Sequence, residues 1–423
     1  MFSFKNLKII ISIVTLLPQI SYAAGLSYTE WESNLHLGIG GAGVASGDDV
    51  ESLFSNPALT AGLRSLRSSQ ILQSFQLPLP NSISFNQISL NEVYKSSQSD
   101  ILKSFLASKA QTSETKQSYV ATQMFPYIML GYKLFPTLVI GFPIRSEHKL
   151  ALLDPATPTN IYYHGVTTYT SLFHLSFSTG LGALQGGFNF RPNYREEYYT
   201  TSLNSDKVTF SGLYGLGHDQ ATVSYGTNMD AGFTVGVYDY WFPTFGVSVI
   251  NIPTGCQDNY YNLYTQKSEK ICGSVRYLGR NDPNGISKKF ASQIDPTEVH
   301  AGGSITPRLK ILRFNIRLRL AADVYPIPIA IGDSKYGVSS DSVFDMLHAG
   351  ARLFFGNSAF GLGPYASVGA MNSAMTWGGG IRYKVFNLEY ASFIHKDFVE
   401  DIGQQSYLPI SERRHLLSLK FIF

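Results

Sequence analysis

The sequence predicts an all-β transmembrane barrel of about fourteen antiparallel strands, with a small N-terminal helical hatch that plugs the lumen. Three observations support this. From about residue 117, segments of alternating character are separated by Gly, Pro and Asn, as in transmembrane strands. Charged residues make up 15% of the chain and aromatic residues 13%, whereas soluble domains average about 25% charged. The last segment alternates up to Phe423, which an exported β-sandwich would not require.

The N-terminus predicts a signal peptide over residues 1–23. Lys5 and Lys8 precede an apolar run over 9–17, and Ser21-Tyr22-Ala23 fits a small-x-small cleavage site. An uncleaved anchor helix is the alternative, but the apolar run is shorter than the ~20 residues that span a bilayer. The expected division is therefore signal peptide 1–23, hatch 24–66 and barrel 67–423.

Short and long connections tend to alternate, which predicts turns on the periplasmic side and loops outside. The short turns fall at 135–136, 180–182, 242–244, Pro307-Arg308, 356–357 and near Val385, and long polar loops at 91–116, 201–221, 254–295 and 396–411. Residues 207–217 could form an extra strand or part of a loop. The predicted strands are 68–90, 117–134, 137–151, 160–178, 183–200, 222–239, 244–253, 296–305, 310–325, 343–355, 358–371, 374–384, 386–395 and 412–423.

Alternation assigns the faces of two strands. Phe314, Ile316, Leu318 and Leu320 alternate with Arg313, Asn315, Arg317 and Arg319. An arginine facing lipid at the midplane costs about 2–4 kcal/mol, so the arginine row is expected in the lumen. In the last strand, Leu417, Leu419, Phe421 and Phe423 form the outer row, and Ser418, Lys420 and Ile422 the inner row.

Cys256 and Cys272 flank a polar stretch and predict a disulfide across one surface loop, because an exported chain meets an oxidising compartment. Closing a loop of this size stabilises a fold by roughly 3 kcal/mol in the chain-entropy model. A zinc site is the weaker alternative, since no nearby histidine pair completes the ligand spacing.

Residues 38–63 do not alternate and precede the first strand. Asp48 is the expected N-cap of a short helix with Glu51 three residues on, and Asn56 caps a second turn with Pro57 at its first position. Residues 38–43 fit the letters of G-x-G-x-x-G. A dinucleotide loop also needs a preceding strand and a βαβ unit, which the sequence lacks, so this segment is interpreted as a plug.

The stretch "GAGVASGDDVESLFSNPALTAGL" resembles the hatch signature of the FadL-type outer-membrane transporters, which include the related PorV branch. "HAGARLFFG", "GPYASVGA" and "WGGGIRYKVFNLEYASF" resemble closing strands of that superfamily. Leu59-Thr60 stands where the family usually continues Gly-Leu. The residues that match the hatch motif are Gly41, Gly43, Asp48, Asp49, Asn56, Pro57 and Ala58.

The resemblance implies passage of hydrophobic compounds such as long-chain fatty acids. Ile101, Leu102, Phe105 and Leu106 form one side of a predicted loop helix that could line the entrance, or could only pack against other loops. In the third strand, Gly141, Phe142 and Pro143 interrupt pairing. The resemblance implies a lateral opening there, and a bulge near the rim is the alternative.

The hatch is expected to have an electrostatic seat in which Asp48, Asp49 and Glu51 face an arginine-lined lumen. The alternative is that both aspartates only cap the helix. The arginines expected in this seat are Arg313, Arg317, Arg319, Arg352 and Arg382.

These features predict a monomer in the outer membrane of a diderm bacterium. Its expected partners are outer-membrane lipid, a hydrophobic small-molecule ligand and the barrel-assembly machinery. With a net charge of +3 and no basic run, nucleic acid is not expected. Glu298, His300 and His348 lie at inward positions without a catalytic motif, so no enzymatic activity, metal or cofactor is expected. A PorV-like scaffold for surface or secreted proteins remains the alternative function.

Overall fold

A computed structural model gives the fold of the 423-residue chain. The signal-peptide residues and the predicted loop helix over 91–110 lie outside the described residues, and so does the segment 207–217. The structure describes residues 31, 33–47, 49–63, 71–79, 81–86, 117–131, 136–152, 161–179, 183–200, 222–237, 241–262, 267–272, 275–276, 293–294, 297–311, 314–328, 346–356, 362–371, 373–401 and 406–423.

One sheet of nineteen strand segments forms a closed barrel of fourteen strands, because five strands are each interrupted once. The interrupted strands are β1 (Leu72–Gln76 and Ser82–Asn86), β2 (Gln117–Met124 and Tyr127–Leu130), β3 (Thr137–Gly141 and Ile144–Leu152), β4 (Ile161–Thr170 and Leu172–Ser178) and β8 (Glu298–Ile305 and Arg308–Ile311). The continuous strands are β5 (Leu184–Thr200), β6 (Thr222–Gly236), β7 (Thr244–Pro253), β9 (Phe314–Pro328), β10 (Leu347–Gly356), β11 (Leu362–Met371), β12 (Ala374–Tyr383), β13 (Phe386–Asp401) and β14 (Ser406–Phe421).

Each strand pairs antiparallel with the next, and the last pairs with the first. Ser82 of β1 lies opposite Ser418 of β14, and Asn86 lies opposite Arg414. Closure removes both sheet edges, so no row of backbone groups is left unpaired at an edge. All fourteen predicted strands have counterparts, which confirms the predicted fold class.

The outer surface of the barrel is apolar. Tyr169, Tyr194 and Tyr225 lie side by side on adjacent strands, with tilted rings whose centroids are 5.7 Å and 5.2 Å apart, and form a belt of aromatic side chains at one level. An apolar band next to an aromatic girdle is the surface of a membrane-spanning barrel. The band includes Ile83, Ile128, Phe173, Phe177, Phe188, Phe190, Phe233, Phe245, Val247, Leu320, Val368, Leu388, Leu417 and Leu419.

No helix within the described residues is long and apolar enough to cross a membrane.

One predicted turn was wrong. Pro307-Arg308 interrupts β8 without ending it, because Arg308–Ile311 continues to pair with β9 up to Ile311 opposite Phe314. A proline removes one ladder hydrogen bond but leaves the strand path intact when its neighbours still pair. The strand β8 therefore extends to Ile311, and β9 begins at Phe314 rather than at residue 310.

The hatch lies inside the barrel as three short helices: α1 (Asn34–Gly38) and the 3₁₀ helices Val50–Phe54 and Pro57–Gly62. Asp49, not Asp48, caps the first 3₁₀ helix, and its side chain accepts a hydrogen bond from the Ser52 amide. This helix begins at Val50, one residue later than predicted, and its N-cap is therefore Asp49. Asp48 lies outside the described residues. The predicted cap at Asn56, with Pro57 at the first position, is confirmed.

Cys256 and Cys272 lie directly opposite each other in a two-stranded hairpin, Cys256–Asn262 paired with Lys267–Cys272. Direct cross-strand partners have backbones close enough for a disulfide. The disulfide itself stays a prediction.

We expect Phe188→Arg to destabilise the barrel by about 2–4 kcal/mol, because Phe188 lies in the apolar band and would place a charge in hydrocarbon. Tyr225→Arg is the control, since at the aromatic belt the same charge should cost about 0–1 kcal/mol. Denaturant unfolding of protein refolded into lipid vesicles measures both. Equal losses would contradict the assignment of the lipid-facing band.

Candidate functional site: the hatch and the wall behind it

Asn56 of the hatch motif joins the hatch to the barrel wall. Its Oδ1 accepts a hydrogen bond from the Ala58 amide at 3.0 Å, which caps the second 3₁₀ helix. Its Nδ2 faces three carbonyl oxygens: Val44 of the hatch at 2.8 Å, Phe233 of β6 at 3.3 Å and Val247 of β7 at 3.5 Å. The two ends of this amide therefore have separate tasks, one within the hatch and one toward the wall. Pro57 and Ala58 follow as buried residues of the capped helix.

The glycine run of the hatch packs against β9 and β10. Tyr325 donates to the Gly41 carbonyl at 2.8 Å, His348 Nδ1 lies 2.9 Å from the Gly40 carbonyl, and the Val44 amide donates to Asp323 at 2.8 Å. Gly40 has a φ of +74°, and a Cβ there would lie 2.5 Å or less from the carbonyl oxygens of Ala349 and Ala370. Only glycine fits both the backbone angle and the close approach.

Other hatch residues are buried against side chains. Gly43 packs against the ring of His36, and the hydroxyl of Thr60 contacts His174 of β4 and, at 2.8 Å, Ser176. Thr60 belongs to the position where this chain departs from the FadL-type pattern, and its hydroxyl forms part of the contact between hatch and wall. His174 continues the chain of hydrogen bonds to Asn189 of β5 at 2.6 Å.

Lys420 of β14 is the cation beneath the acidic part of the hatch. Its Nζ lies 2.6 Å from Glu51, 3.2 Å from Glu389 of β13 and 3.8 Å from Asp49. The Lys420 side chain is 3% exposed, so water screens these ion pairs little. Burial raises the pKa of the Glu51 carboxyl to about 7, and the charge of Lys420 opposes that shift. Asp49 thus both caps a helix and faces a buried charge.

The electrostatic seat predicted for the hatch differs from the observed one. Lys420, rather than an arginine, is the cation that contacts both Asp49 and Glu51, because β14 passes next to this part of the hatch. Arg382 reaches the cluster through Glu389, at 3.4 Å. Arg352 holds the hatch differently, by donating to the Leu35 carbonyl. Arg313 lies outside the described residues.

Four of the arginines predicted to line the lumen lie together. Arg317 and Arg319 of β9, Arg352 of β10 and Arg382 of β12 line one cavity against Leu35 of the hatch. They share this cavity with Thr306, Phe354 and Tyr365.

The wall carries a line of incomplete strand pairs across β2 to β5, which we call the proline seam. The Phe142 amide donates to Pro126 at 3.0 Å and the Thr170 amide to Pro143 at 2.9 Å. The Ser171 amide donates to Pro192 at 2.9 Å. Each pair would normally exchange two hydrogen bonds, and proline has no N–H for the second.

The strand register continues across the seam. Met124 pairs with Ile144 on one side of the Pro126–Phe142 pair, and Tyr127 pairs with Gly141 on the other. The predicted interruption of β3 at Gly141, Phe142 and Pro143 therefore lies at the centre of the seam, where adjacent strands stay joined by single bonds. Phe142 points outward and is 52% exposed. Whether this place opens laterally stays a prediction.

The first strand has a bulge at the same level. Gln76 lies opposite Tyr127 and Ser82 opposite Gln123, so β1 has five residues between these two pairs where β2 has three. Two extra residues break the ladder locally. The bulge includes Pro78, and the side chains of Leu77 and Leu79 are exposed.

Behind the seam lies an apolar cluster that joins the hatch to the wall. Trp31 and Phe54 of the hatch stack with ring centroids 5.3 Å apart, and Phe125 of β2 lies 5.3 Å from both. A Cβ on Gly141 would lie 2.6 Å from the Phe125 ring, so the cluster touches the seam directly. We call this group the apolar cluster, and its members are Trp31, Val50, Leu53, Phe54, Phe125, Tyr127, Met129, Val139 and Leu172.

The neighbouring part of the lumen, at β5 and β6, is polar. Asn189 and Arg191 of β5 bond Asp230 of β6 at 2.9 Å and 2.7 Å, and all three side chains are buried. His300 of β8 lies 3.0 Å from Glu298. Among the described residues, no group of three or more His, Cys, Asp or Glu side chains could hold a metal ion.

Sequence reasoning missed Lys420, Phe125, Pro126 and Trp31. Signals for two of them were present, since Lys420 belongs to the inward row of the last strand and Pro126 interrupts a predicted strand as Pro143 does. Ile101, Leu102, Phe105 and Leu106, the predicted entrance, lie outside the described residues.

Comparison with solved structures finds hydrocarbon transporters and channels. The chain is similar to the toluene transporter TbuX of Ralstonia pickettii, with 11% identity, a TM-score of 0.46, and 93% of this chain and 98% of that chain covered. It is similar to the toluene transporter TodX of P. putida, with 10% identity, a TM-score of 0.47, and 93% and 98% covered. The monoaromatic hydrocarbon channel CymD gives 11% identity, a TM-score of 0.46, and 95% and 97% covered.

No protein-family model and no curated protein sequence matches the chain. Because the structural similarities have TM-scores below 0.5, the function of this chain has to be argued from its own residues.

We expect Asn56→Asp to loosen the hatch although it keeps the capping oxygen, because a carboxylate would then face the three carbonyls that now accept from the amide. The free energy that holds the hatch against the wall should fall by about 1–3 kcal/mol, which is the cost of leaving buried polar groups without partners. Limited proteolysis of the hatch in folded protein measures it. Asn56→Ala is the comparison. A hatch as protected in Asn56→Asp as in the wild type would contradict the assigned role of Nδ2.

We expect Lys420→Met to raise ion leak through the barrel, since three buried carboxylates would lose their shared cation. The free energy that holds the hatch closed should fall by about 3–5 kcal/mol, as when one partner of a buried ion pair is removed. Single-channel conductance in planar bilayers measures the leak, with Lys384→Met at a β12–β13 turn as the matched control. Adding Glu51→Gln should restore part of the closure, because one buried charge is removed. Equal leak in Lys420→Met and the control would contradict the seat.

Proposed function

We propose that this protein is an outer-membrane channel for hydrophobic compounds such as long-chain fatty acids. Ligand is captured at the outer loops, passes the hatch inside the lumen, and leaves sideways into the membrane at the interruption of β3. The observation that carries the proposal is the apolar cluster, which lines the inside of the wall where the wall itself is weakest.

An apolar lining is unusual for the interior of a membrane barrel, which is normally polar. In this barrel the polar lining is found at β5 and β6, where Asn189, Arg191 and Asp230 bond one another. Aromatic and aliphatic side chains face inward at β2 to β4, and a smaller apolar group on β11, β13 and β14 packs against Leu37 of the hatch. A hydrophobic solute is more favourable beside the apolar cluster than beside the polar lining, because transfer of apolar surface into a polar, hydrated space is unfavourable.

The apolar cluster is built from both hatch and wall, which supports a gating role for the hatch. Trp31, Leu53 and Phe54 come from the hatch and cover Phe125 and Leu172 of the wall. If the hatch moves away on this side, the apolar wall residues are uncovered, and a ligand can pack against them in place of the hatch. The ligand then recovers the contacts that Trp31 and Phe54 made, so exchange of hatch for ligand costs little apolar exposure.

The proline seam supports the exit at this place. Three adjacent strand interfaces each hold one hydrogen bond where two are normal, at Pro126, Pro143 and Pro192. Separating strands in hydrocarbon is costly because every freed backbone group lacks a partner. A seam with fewer bonds to break lowers that cost relative to any fully paired part of the wall.

Pro143→Val tests the exit, because valine restores the N–H that faces the Thr170 carbonyl. One added bond is worth about 1 kcal/mol, so the population of open wall should fall about fivefold. Uptake of a radiolabelled long-chain fatty acid and of an uncharged aromatic hydrocarbon is measured in cells that lack their own copy of the gene. Uptake through Pro143→Val should fall several-fold relative to the wild type.

Pro364→Val is the matched control, since Pro364 lies in β11, opposite Ile381 of β12 and away from the seam. Its uptake should equal that of the wild type. Equal uptake by Pro143→Val and Pro364→Val would contradict the exit. Wild-type uptake no higher than that of cells without the protein would contradict transport altogether and favour the scaffold function.

A further inference from the structure

The cavity lined by four arginines lies at the turn end of the barrel, away from the apolar cluster. Arg317 and Arg319 are near the start of β9, Arg382 is one residue before the end of β12, and Phe354 is two residues before the end of β10. In the sequence, two residues separate β8 from β9, five separate β10 from β11, and two separate β12 from β13. The turn end is the periplasmic end if the long loops lie outside.

The arginines are held in place by aromatic rings and by the hatch. The guanidinium of Arg317 lies 4.5 Å from the Phe354 ring centroid, and Arg352 and Arg382 lie 5.5 Å and 6.0 Å from that of Tyr365. Arg352 also donates to the Leu35 carbonyl of the hatch. Stacked guanidinium groups lose less freedom on binding a ligand, so these side chains are partly pre-organised.

The cavity also offers a buried hydroxyl. Tyr365 is 6% exposed, and its Oη has no hydrogen-bond partner within the described part of the chain. A buried polar group without a partner is costly and normally acquires one from water or a ligand. The described lining residues include four arginines and no carboxylate, and one of the four, Arg382, pairs with Glu389 beside the cavity at 3.4 Å.

We infer that this cavity is a binding site for an oxyanion, a phosphate or a carboxylate group. Arginine presents paired N–H donors whose geometry matches both groups, and charge-assisted bonds of this kind are the strong ones. Tyr365 supplies a further donor, and the Thr306 hydroxyl lies in the same lining. Arg317 is exposed while Arg352 is buried, so the site has an open side and a closed side.

The oxyanion can come from two sources: a free ion such as inorganic phosphate, or the head group of an amphiphilic carboxylate. The site does not depend on the proposed transport, because it lies apart from the apolar cluster and the seam. Binding to the isolated protein can therefore succeed or fail whatever the outcome of the uptake experiment.

Titration calorimetry on the full chain, purified in an uncharged maltoside detergent at low ionic strength, tests the site. The probes are inorganic phosphate, acetate, octanoate and octan-1-ol. We expect saturable binding of phosphate and of octanoate that weakens with added salt, as charge-assisted binding does. Arg317→Gln with Arg319→Gln should weaken both by about tenfold or more, because half of the guanidinium groups are lost. Arg413→Gln, which removes a charge from β14 outside the cavity, should change neither by more than about twofold.

Phosphate binding with acetate as tight as octanoate would support the site with a free oxyanion as its ligand. Octanoate binding much tighter than acetate would support it with an amphiphile as its ligand. Three results would each overturn the site. They are no saturable binding of phosphate or octanoate, binding of octan-1-ol as tight as that of octanoate with no phosphate binding, and unchanged affinity in the double variant. Heat-modifiable migration on gels checks that each variant is folded, and the single variants replace the double one if it is not.

Discussion

Backbone pairing in hydrocarbon is the constraint on which this structure depends. A wall in contact with lipid must satisfy every N–H and C=O internally, and closure of β14 onto β1 does so. Against that requirement, prolines at Pro126, Pro143 and Pro192 leave three neighbouring interfaces with single bonds. Prolines are tolerated in strands mainly at edges and bulges. Their alignment in a closed barrel, directly over an apolar cluster, is the physical basis of the proposed lateral exit.

The hatch follows from a second constraint, the cost of buried charge. Glu51, Asp49 and Glu389 could not remain buried together without a cation, and Lys420 is placed among them. The hatch is thus tied electrostatically to β13 and β14, through Asn56 to β6 and β7, and through its glycines to β9 and β10. On the side of β2 to β4, its contacts include the apolar cluster. Apolar contacts are non-directional and can be replaced by a ligand, whereas hydrogen bonds and ion pairs have fixed geometry.

The strands and their faces could be predicted from sequence because alternation has a fixed period of two. The inward rows of β9 and β14 were therefore expected, and Arg317, Arg319 and Lys420 lie on them. Alternation shows which side chains face inward. It does not show the strand register or the depth of the hatch, and these decide which inward side chain lies beneath which part of the hatch. This is why the arginines were expected under Asp49 and Glu51, where Lys420 lies. A proline within a strand can likewise signal a turn or an interruption, and Pro307 was misread while Pro143 was not.

Photoaffinity labelling tests the apolar route most directly. A long-chain fatty acid with a diazirine in its tail is bound to the protein in lipid vesicles, and labelled residues are identified by mass spectrometry. We expect label on the inward side chains Phe125, Tyr127, Met129 and Leu172, and unlabelled fatty acid in excess should displace it. Label confined to outward residues such as Phe173 and Phe188, with no displaceable label inside the barrel, would contradict it.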